Sequence, residues 1–395
     1  MQNPPFPVSR RIRQAACILL FAAAGSASGA DTRFDWEDGF RVRSDDKQWR
    51  LELGGRMHVD SAWYDDDVTP LDNDVILRRL RPRLDVSYGK NWSARADYDF
   101  GDVADGWKNV WVQYRFNKHV DVRVGNQTVP FGLEEVMSSD DVMFMERPLA
   151  TQLTAGLLTG ALLRADNNDM SFSFGVFGND LSDDDRRKLD GTSVAGRVTW
   201  APLRANKRVV HLGFSAEYRD AGSGEAGRFR ARPESDATEV RLIDTRSVDD
   251  VGSLLALGAE AAAGFGPALL QAEYISTDVS RDVGSDATLG GWYVSASYVV
   301  TGERRRYREH TGSFGDIAPR GQWGAVEVAA RYGSLDLTDG DVTGGEESNL
   351  ALGVNWYLNR NCRLMLNYID VDASPNRDGV DESPSIWQVR AQVGF

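Results

Sequence analysis

The segment Trp49-Arg50-Leu51-Glu52-Leu53-Gly54-Gly55-Arg56-Met57-His58-Val59-Asp60-Ser61-Ala62-Trp63 alternates with period two. Leu51, Leu53, Gly55, Met57, Val59 and Trp63 fall on one face, and Glu52, Arg56, His58 and Asp60 on the other. Successive side chains of an extended chain point to opposite sides, so this stretch reads as a strand with one apolar and one charged face. The pattern returns in Leu80, Pro82, Leu84, Val86 and Tyr88 against Arg79, Arg81, Arg83 and Asp85. It returns again in Trp92, Ala94, Ala96, Tyr98 and Phe100 against Arg95, Asp97 and Asp99.

Sixteen such runs follow, near 49–64, 75–88, 92–100, 108–116, 120–127, 158–165, 170–178, 192–201, 208–219, 252–265, 268–278, 289–301, 322–334, 347–358, 361–371 and 385–395. Strands apolar on one side and polar on the other, in even number, describe a closed antiparallel barrel with lipid outside and water within. The expected fold is therefore all-β: a transmembrane antiparallel β-barrel of 16 strands over residues 49–395. The run at 158–165 has the least clean alternation.

Connections alternate in length. Tight ones fall at 89–91, 117–119, 166–169, 266–267 and 359–361, and longer polar ones at 65–74, 179–191, 220–251 and 335–346. Short turns belong to the periplasmic side of such a barrel and long loops to the outside. The connection 302–321 breaks the rule, being about twenty residues long where a short turn is expected. Trp63, Tyr64, Tyr88, Trp92, Trp200, Tyr218, Tyr274, Trp292, Tyr298, Trp356 and Trp387 stand near strand ends, as two interfacial girdles require. The last strand places Trp387, Val389, Ala391, Val393 and the terminal Phe395 on one face, the form of an outer-membrane assembly signal.

At the other end, Arg10, Arg11 and Arg13 precede the apolar run Ala15 to Ala24 and the small residues Gly25 to Ala30. That is the layout of a secretory signal peptide. Ten apolar residues cannot span a hydrocarbon core, which takes roughly 20 in helical form. Cleavage after Ala30 is expected to leave a periplasmic N-terminal segment, 31–48, ahead of the barrel. Cys17 departs with the leader, so Cys362 alone remains and no internal disulfide is expected.

Removing the three leader arginines from 45 basic residues leaves 42 against 59 acids, a formal charge of −17. That balance argues against a nucleic-acid partner. Of the 45 basic residues six are lysine and 39 arginine, whose planar fork suits oxyanions. Arg79, Arg81, Arg83, Arg123 and Arg197 fall on inward faces, as do Asp97, Asp99, Asp121, Glu260 and Glu273. The connection 128–159 carries Phe131, Leu133, Phe144, Met145 and Leu149, which are poorly placed in open water. Folding into the barrel mouth resolves this and carries Ser138, Ser139 and Arg147 inward. In the next-but-one loop, Arg228, Arg230 and Arg232 stand about 7 Å apart on one side of an extended segment. They form either a relay for anions or a solvated basic loop against lipopolysaccharide phosphates. Arg186 and Arg187, in the 179–191 loop, are expected to be exposed.

The segment Val124-Gly125-Asn126-Gln127-Thr128-Val129-Pro130-Phe131-Gly132-Leu133-Glu134-Glu135, with Ser138-Ser139 and Phe144-Met145-Glu146-Arg147, resembles the phosphate-selective porin O/P family. So do Arg228 to Pro233, Tyr298 to Glu303, the region of Leu335, Leu352 to Leu358 and Leu364 to Tyr368, and the resemblance covers nearly the whole chain after the leader. It implies an outer-membrane porin of a Gram-negative cell, a homotrimer of sixteen-stranded barrels whose third loop folds inward as a constriction. Position by position, Arg228, Arg230 and Arg232 match an arginine ladder, and Ser138, Ser139 and Arg147 match constriction residues. Arg78 and Arg79 match paired arginines reaching the same zone from the second strand, with Arg81 beside them. Strictly phosphate-selective members carry lysine where Glu135 stands, together with a lysine-rich mouth. The implied partners are small anions (phosphate, polyphosphate or organic anions), lipopolysaccharide and the barrel assembly machinery, with no cofactor.

Four histidines, His58, His119, His211 and His310, lie in no nucleophile motif, so an enzyme is not expected. The acidic runs Asp65 to Asp67, Asp183 to Asp185 and Asp336 to Asp341 match no calcium-loop spacing and read as solvated loops. The alternative function is a plugged structural or adhesive barrel acting through its surface loops.

Overall fold

The computed structural model describes residues 31–35, 39–182, 186, 187, 189–205 and 207–395. The leader read over 1–30 and the run Asp183-Asp184-Asp185 lie outside these residues. Sixteen strands build the barrel: β1 (Trp49–Asp65), β2 (Asp74–Tyr88), β3 (Trp92–Asp99), β4 (Gly106–Arg115), β5 (Val120–Thr128), β6 (Leu157–Asp166), β7 (Met170–Phe177) and β8 (Thr192–Ala205) make the first half. The second half is β9 (Arg208–Gly227), β10 (Val248–Phe265), β11 (Ala268–Arg281), β12 (Ala287–Val299), β13 (Ala325–Asp339), β14 (Val342–Tyr357), β15 (Cys362–Ala373) and β16 (Ser385–Gly394). Each pairs antiparallel with the next, and β16 returns to β1 with Trp387 opposite Trp63 and Val393 opposite Met57. Closure removes the unpaired edge that an open sheet would expose. The sixteen expected runs are the sixteen strands, including the weakly patterned β6.

The closing seam has two parts. Residues 56–65 of β1 pair with β16, and residues 50–53 pair with a short N-terminal strand, Gly39–Arg43, itself paired with Asp31–Asp35. Gly54 sits at the handover. A Cβ there would stand 2.5 Å from the Phe395 carbonyl oxygen, so only glycine lets the two partners meet end to end.

The loop expected at 335–346 is not one. β13 and β14 run on to a tight turn, with Asp339 opposite Val342. Leu335, Leu337 and Val342 are buried on the inward face, so the alternation continues past the acidic residues that suggested a loop. The long connection 302–321 forms a hairpin of Arg305–Arg308 and Ser313–Ile317 that enters the lumen from the end bearing the short turns.

Two further segments enter from the opposite end. Residues 129–156 hold a single helical turn, α1 (Leu133–Val136), and a 3-10 turn at Leu149–Leu153. Residues 228–247 hold the short pair Arg230–Ala231 and Ile243–Asp244. Phe131, Leu149 and Leu153 from the first and Phe229 and Ile243 from the second pack on Leu254, Ile275, Val279, Leu289 and Leu337 of the wall. Leu133, Met143 and Phe144 pack with Phe314 of the hairpin and with Leu269, Ile369 and Ile386. Each fully buried Phe or Leu contributes about 1.5–3 kcal/mol, which is what holds these segments inside a water-filled barrel.

The outward aromatics form rings at both ends, with contacts such as Trp49 to Tyr88 (4.6 Å between centroids) and Tyr368 to Trp387 (4.9 Å). Tyr64 does not join them. It is half-buried and its hydroxyl meets Ser235 Oγ at 2.7 Å, bracing the 228–247 segment from inside.

Candidate functional site

The inward segment 129–156 is held by its backbone. Asn355 donates to the Met143 carbonyl at 2.8 Å, Arg363 to Val142 at 2.8 Å and Arg331 to Glu146 at 3.1 Å. Arg390 donates to the Met145 carbonyl at 2.5 Å and grips Asp60 through two nitrogens at 2.7 and 2.6 Å. Many wall side chains on β13 to β16 are thus donors aimed at carbonyls, because a loop buried without strand partners leaves its carbonyls to be satisfied by side chains.

Between this loop, the 228–247 segment and the wall of β1 to β4 lies a cavity of about 530 Å3. Twelve cationic side chains line it against four acids, although the whole chain carries a net charge of −14. The acids of the barrel wall are covered or paired. Asp99 accepts from Arg81 at 2.7 Å, Asp121 from Arg164 at 2.8 Å, Glu260 from Arg197 at 2.5 Å, and Glu273 from loop amides.

Arg78 is buried against Glu146 at 2.8 and 2.9 Å and against Asp236, so both inward loops neutralise it. Its neighbour Arg79 lines the cavity without an ion-pair partner among the described residues, and its Nε makes no hydrogen bond. Arg81 lines the cavity while paired with Asp99. Ser138 and Ser139 also line it, but their partner is Arg56, whose Nη1 reaches Ser139 Oγ at 2.7 Å and Asp140 at 3.1 Å.

Arg147, expected beside the two serines, instead folds back on its own loop. It donates to the carbonyls of Glu134 (3.1 Å), Glu135 (3.3 Å) and Met137 (2.8 Å), stapling the end of α1. Arg186 is not an exposed loop residue. It holds Glu135 at 2.8 and 3.2 Å inside the cavity. Burial raises the Glu135 carboxyl, but Arg186 and then Arg147 outweigh it and keep it below the usual range. Arg187 is fully buried on Glu217 at 3.0 and 3.1 Å.

Of the expected ladder, Arg230 and Arg232 line the cavity and Arg228 does not. Arg228 is turned onto Asp244 at 2.8 and 2.5 Å, and Arg232 is shared by Asp236 and Glu239. Arg230 has no ion-pair partner among the described residues; burial and then neighbouring Arg228 push it below the usual guanidinium range. Arg241, on the same loop, is pushed down to about 10 by burial and then by Arg232 and Arg230. Crowded like charges of this kind mark a field that attracts anions.

Sequence reasoning missed Arg56, Arg95, Lys108, Arg186, Arg241 and Arg308 as lining residues. Arg56 and Arg95 were on the inward face of the alternation and could have been named. Arg308 could not, because it arrives on the hairpin from the opposite end, where its guanidinium meets Asp141 at 2.8 Å.

A family model described as phosphate-selective porin O and P matches residues 51–395. Porin O of Pseudomonas aeruginosa is 26% identical over 420 residues, covering 95% of each chain. Among solved structures, outer-membrane expressed OmpT of Vibrio cholerae superposes with a TM-score of 0.58 at 11% identity, covering 90% of this chain and 100% of that one. An anion-selective porin from Comamonas acidovorans gives 0.56 at 16% identity, covering 88% and 100%. The end bearing the short turns is then periplasmic and the loop end faces outward. With its closed sixteen-stranded barrel and cation-lined interior, this chain belongs to the phosphate-selective porin O and P family, outer-membrane anion channels of Gram-negative cells.

Proposed function

We propose that the cavity is the ion path and that it passes phosphate, polyphosphate or other phosphorylated and organic anions, with Arg79 and Arg230 as the principal attracting charges. The observation that carries this is the excess of twelve cations over four acids around the cavity of a chain that is acidic as a whole. Local field, not total charge, governs which ion enters. Arg56, paired with Asp140, joins Ser138 and Ser139 in supplying N–H and hydroxyl donors at the narrow zone, where donors replace part of an anion's water shell. Arg78, Arg81 and Arg232 stand there as ion-paired sites with weaker pull, and Arg147 acts by holding α1. Arg228, paired with Asp244 outside the cavity, contributes least of the three ladder arginines.

Binding along this path is shallow, since Glu135, Glu146, Glu234 and Asp236 sit among the cations. Conduction needs sites attractive enough to enter and weak enough to leave. The reading includes no catalysis, in keeping with a family of channels. It includes a homotrimer, contact with lipopolysaccharide, insertion by the barrel assembly machinery through the Phe395 strand, and a periplasmic segment 31–48 left after leader removal.

The test is the reversal potential of purified protein in a planar bilayer under a salt gradient. Anion preference is expected, and clear cation preference contradicts the reading. Well-inserted protein without channels points instead to the plugged structural barrel.

A further inference from the structure

Pro130-Phe131-Gly132-Leu133-Glu134-Glu135 meets the wall of β9 to β12 through its backbone. The Gly132 amide donates to Ser215 Oγ at 3.0 Å, the Leu133 amide to Glu273 Oε1 at 2.5 Å and the Glu134 amide to Glu273 Oε2 at 3.0 Å. The same Oε2 accepts from the Tyr293 hydroxyl at 2.5 Å, and Gln271 Nε2 donates to Glu134 Oε2 at 2.7 Å. Gly132 has φ +67°, and a Cβ on it would lie 2.7 Å from Glu273 Oε1. The Phe131 ring lies on Gly258 of β10, where a Cβ would stand 2.9 Å from it.

The first amides of a helical turn have no partner within the turn. Here a buried carboxylate on the barrel wall takes two of them, and a wall hydroxyl takes the amide just before. Leaving such amides unsatisfied in a dry site is costly, so the loop is held where Glu273 stands. Glu273 does not line the cavity, whereas Glu135, Ser138, Ser139 and Arg147, which follow within one short stretch, all do.

We infer that Glu273 is a positioning residue for ion selectivity: it holds the turn from which the serines and Arg147 are set, although it touches no ion on the path. This rests on the reading of the cavity as the anion path. The inference predicts an unusual sign. If Glu273 acted on ions through its charge, removing that charge would make the lumen more positive and raise anion preference. If it acts by position, its loss frees the loop, so conductance rises and anion preference falls.

Glu273→Gln keeps one acceptor and turns an NH2 toward an amide N–H. Gly132→Ala attacks the same contact from the loop side and leaves the wall intact. Both are measured in bilayers beside Arg79→Ala, with heat-modifiability as the check that the barrel is closed. The expected result is larger conductance and a reversal potential shifted toward zero in both loop-contact variants. Unchanged conductance with a shift toward stronger anion preference in Glu273→Gln overturns the inference. So does an Arg79→Ala shift unaccompanied by any change in the other two, which leaves the anion path standing. If none of the three moves the reversal potential, the anion path itself is refuted. Should Glu273→Gln fail to fold, Gly132→Ala decides.

Discussion

The lumen wall of β1 to β4 and that of β9 to β16 are built from the same alternation and end as different surfaces. On β2 the inward Arg81, Arg83, Asp85 and Ser87 remain half-exposed. On β10 to β14 the inward positions are buried, among them Leu254, Ala256, Ile275, Val279, Leu289 and Leu335. The first wall keeps part of its inward face open to the cavity. The second serves as a dock on which three inward segments rest, and they push the water and the free guanidinium groups toward the first. A pore lined on one side by cations and on the other by packed loops thus needs no net positive charge.

This comparison can be broken most directly at the dock. Arg390 lies fully buried between Asp60, Glu146 and the Met145 carbonyl, so Arg390→Ala leaves the buried Asp60 carboxylate without its partner, while Glu146 keeps Arg78. Loss of one partner of such a network costs about 3–5 kcal/mol. A lower unfolding midpoint in detergent is expected, with a noisier channel; an unchanged midpoint means the dock is not load-sharing. Next comes Arg187, buried on Glu217. Arg187→Ala should destabilise by a similar ~3 kcal/mol while leaving the reversal potential near wild type, because it faces the dock and not the cavity.

On the open wall the effects reverse. Arg79→Ala should leave stability nearly unchanged, within about 1 kcal/mol, since it removes no ion pair. It should shift the reversal potential more than Arg228→Ala, whose charge is already taken by Asp244. Equal shifts would show that pairing does not decide which arginine counts.

The periplasmic hairpin offers a smaller, pH-dependent test. His310 lies between Asp121 (2.7 Å) and Asp166 (2.6 Å); His119 also meets Asp166, Arg164 meets Asp121, and Glu309 is paired with Arg204. The bond to Asp121 raises the His310 pKa above its usual 6.5, against burial and with help from Asp166. A raised pKa means the contribution to stability is complete below the unfolded value and is lost as pH rises through the folded one. Protection of the Arg305 to Ile317 amides, corrected for the intrinsic base-catalysed exchange rate, should therefore fall as pH rises above the ordinary histidine value of 6.5, and His310→Gln should flatten that dependence. The smallest effect belongs to the exposed pair Arg246 to Asp378, where Arg246→Ala should change stability by less than about 0.5 kcal/mol.

How far the sequence could be read depended on the kind of contact. The inward positions of Arg79, Arg81 and Arg83 follow from period two alone, since a strand has only two faces. Arg147, Arg186 and Arg187 sit in connections where no period applies, and there position in the chain was a poor guide. Arg186 reaches Glu135 across 51 residues of chain, and Arg187 reaches Glu217 across 30. Tyr64 departs from the girdle for a related reason, as a strand end one residue out of phase points a ring inward instead of toward lipid.

Strand number, closure, the two girdles and the family were determined by the sequence itself, because membrane strands must hide their backbone polar groups and show lipid an apolar face at every second residue. Which arginines remain free could only be decided by the tertiary structure. An ion pair between a wall strand and a folded loop depends on where the loop comes to rest, and that is set by buried amides, carbonyls and rings whose partners lie tens to hundreds of residues away.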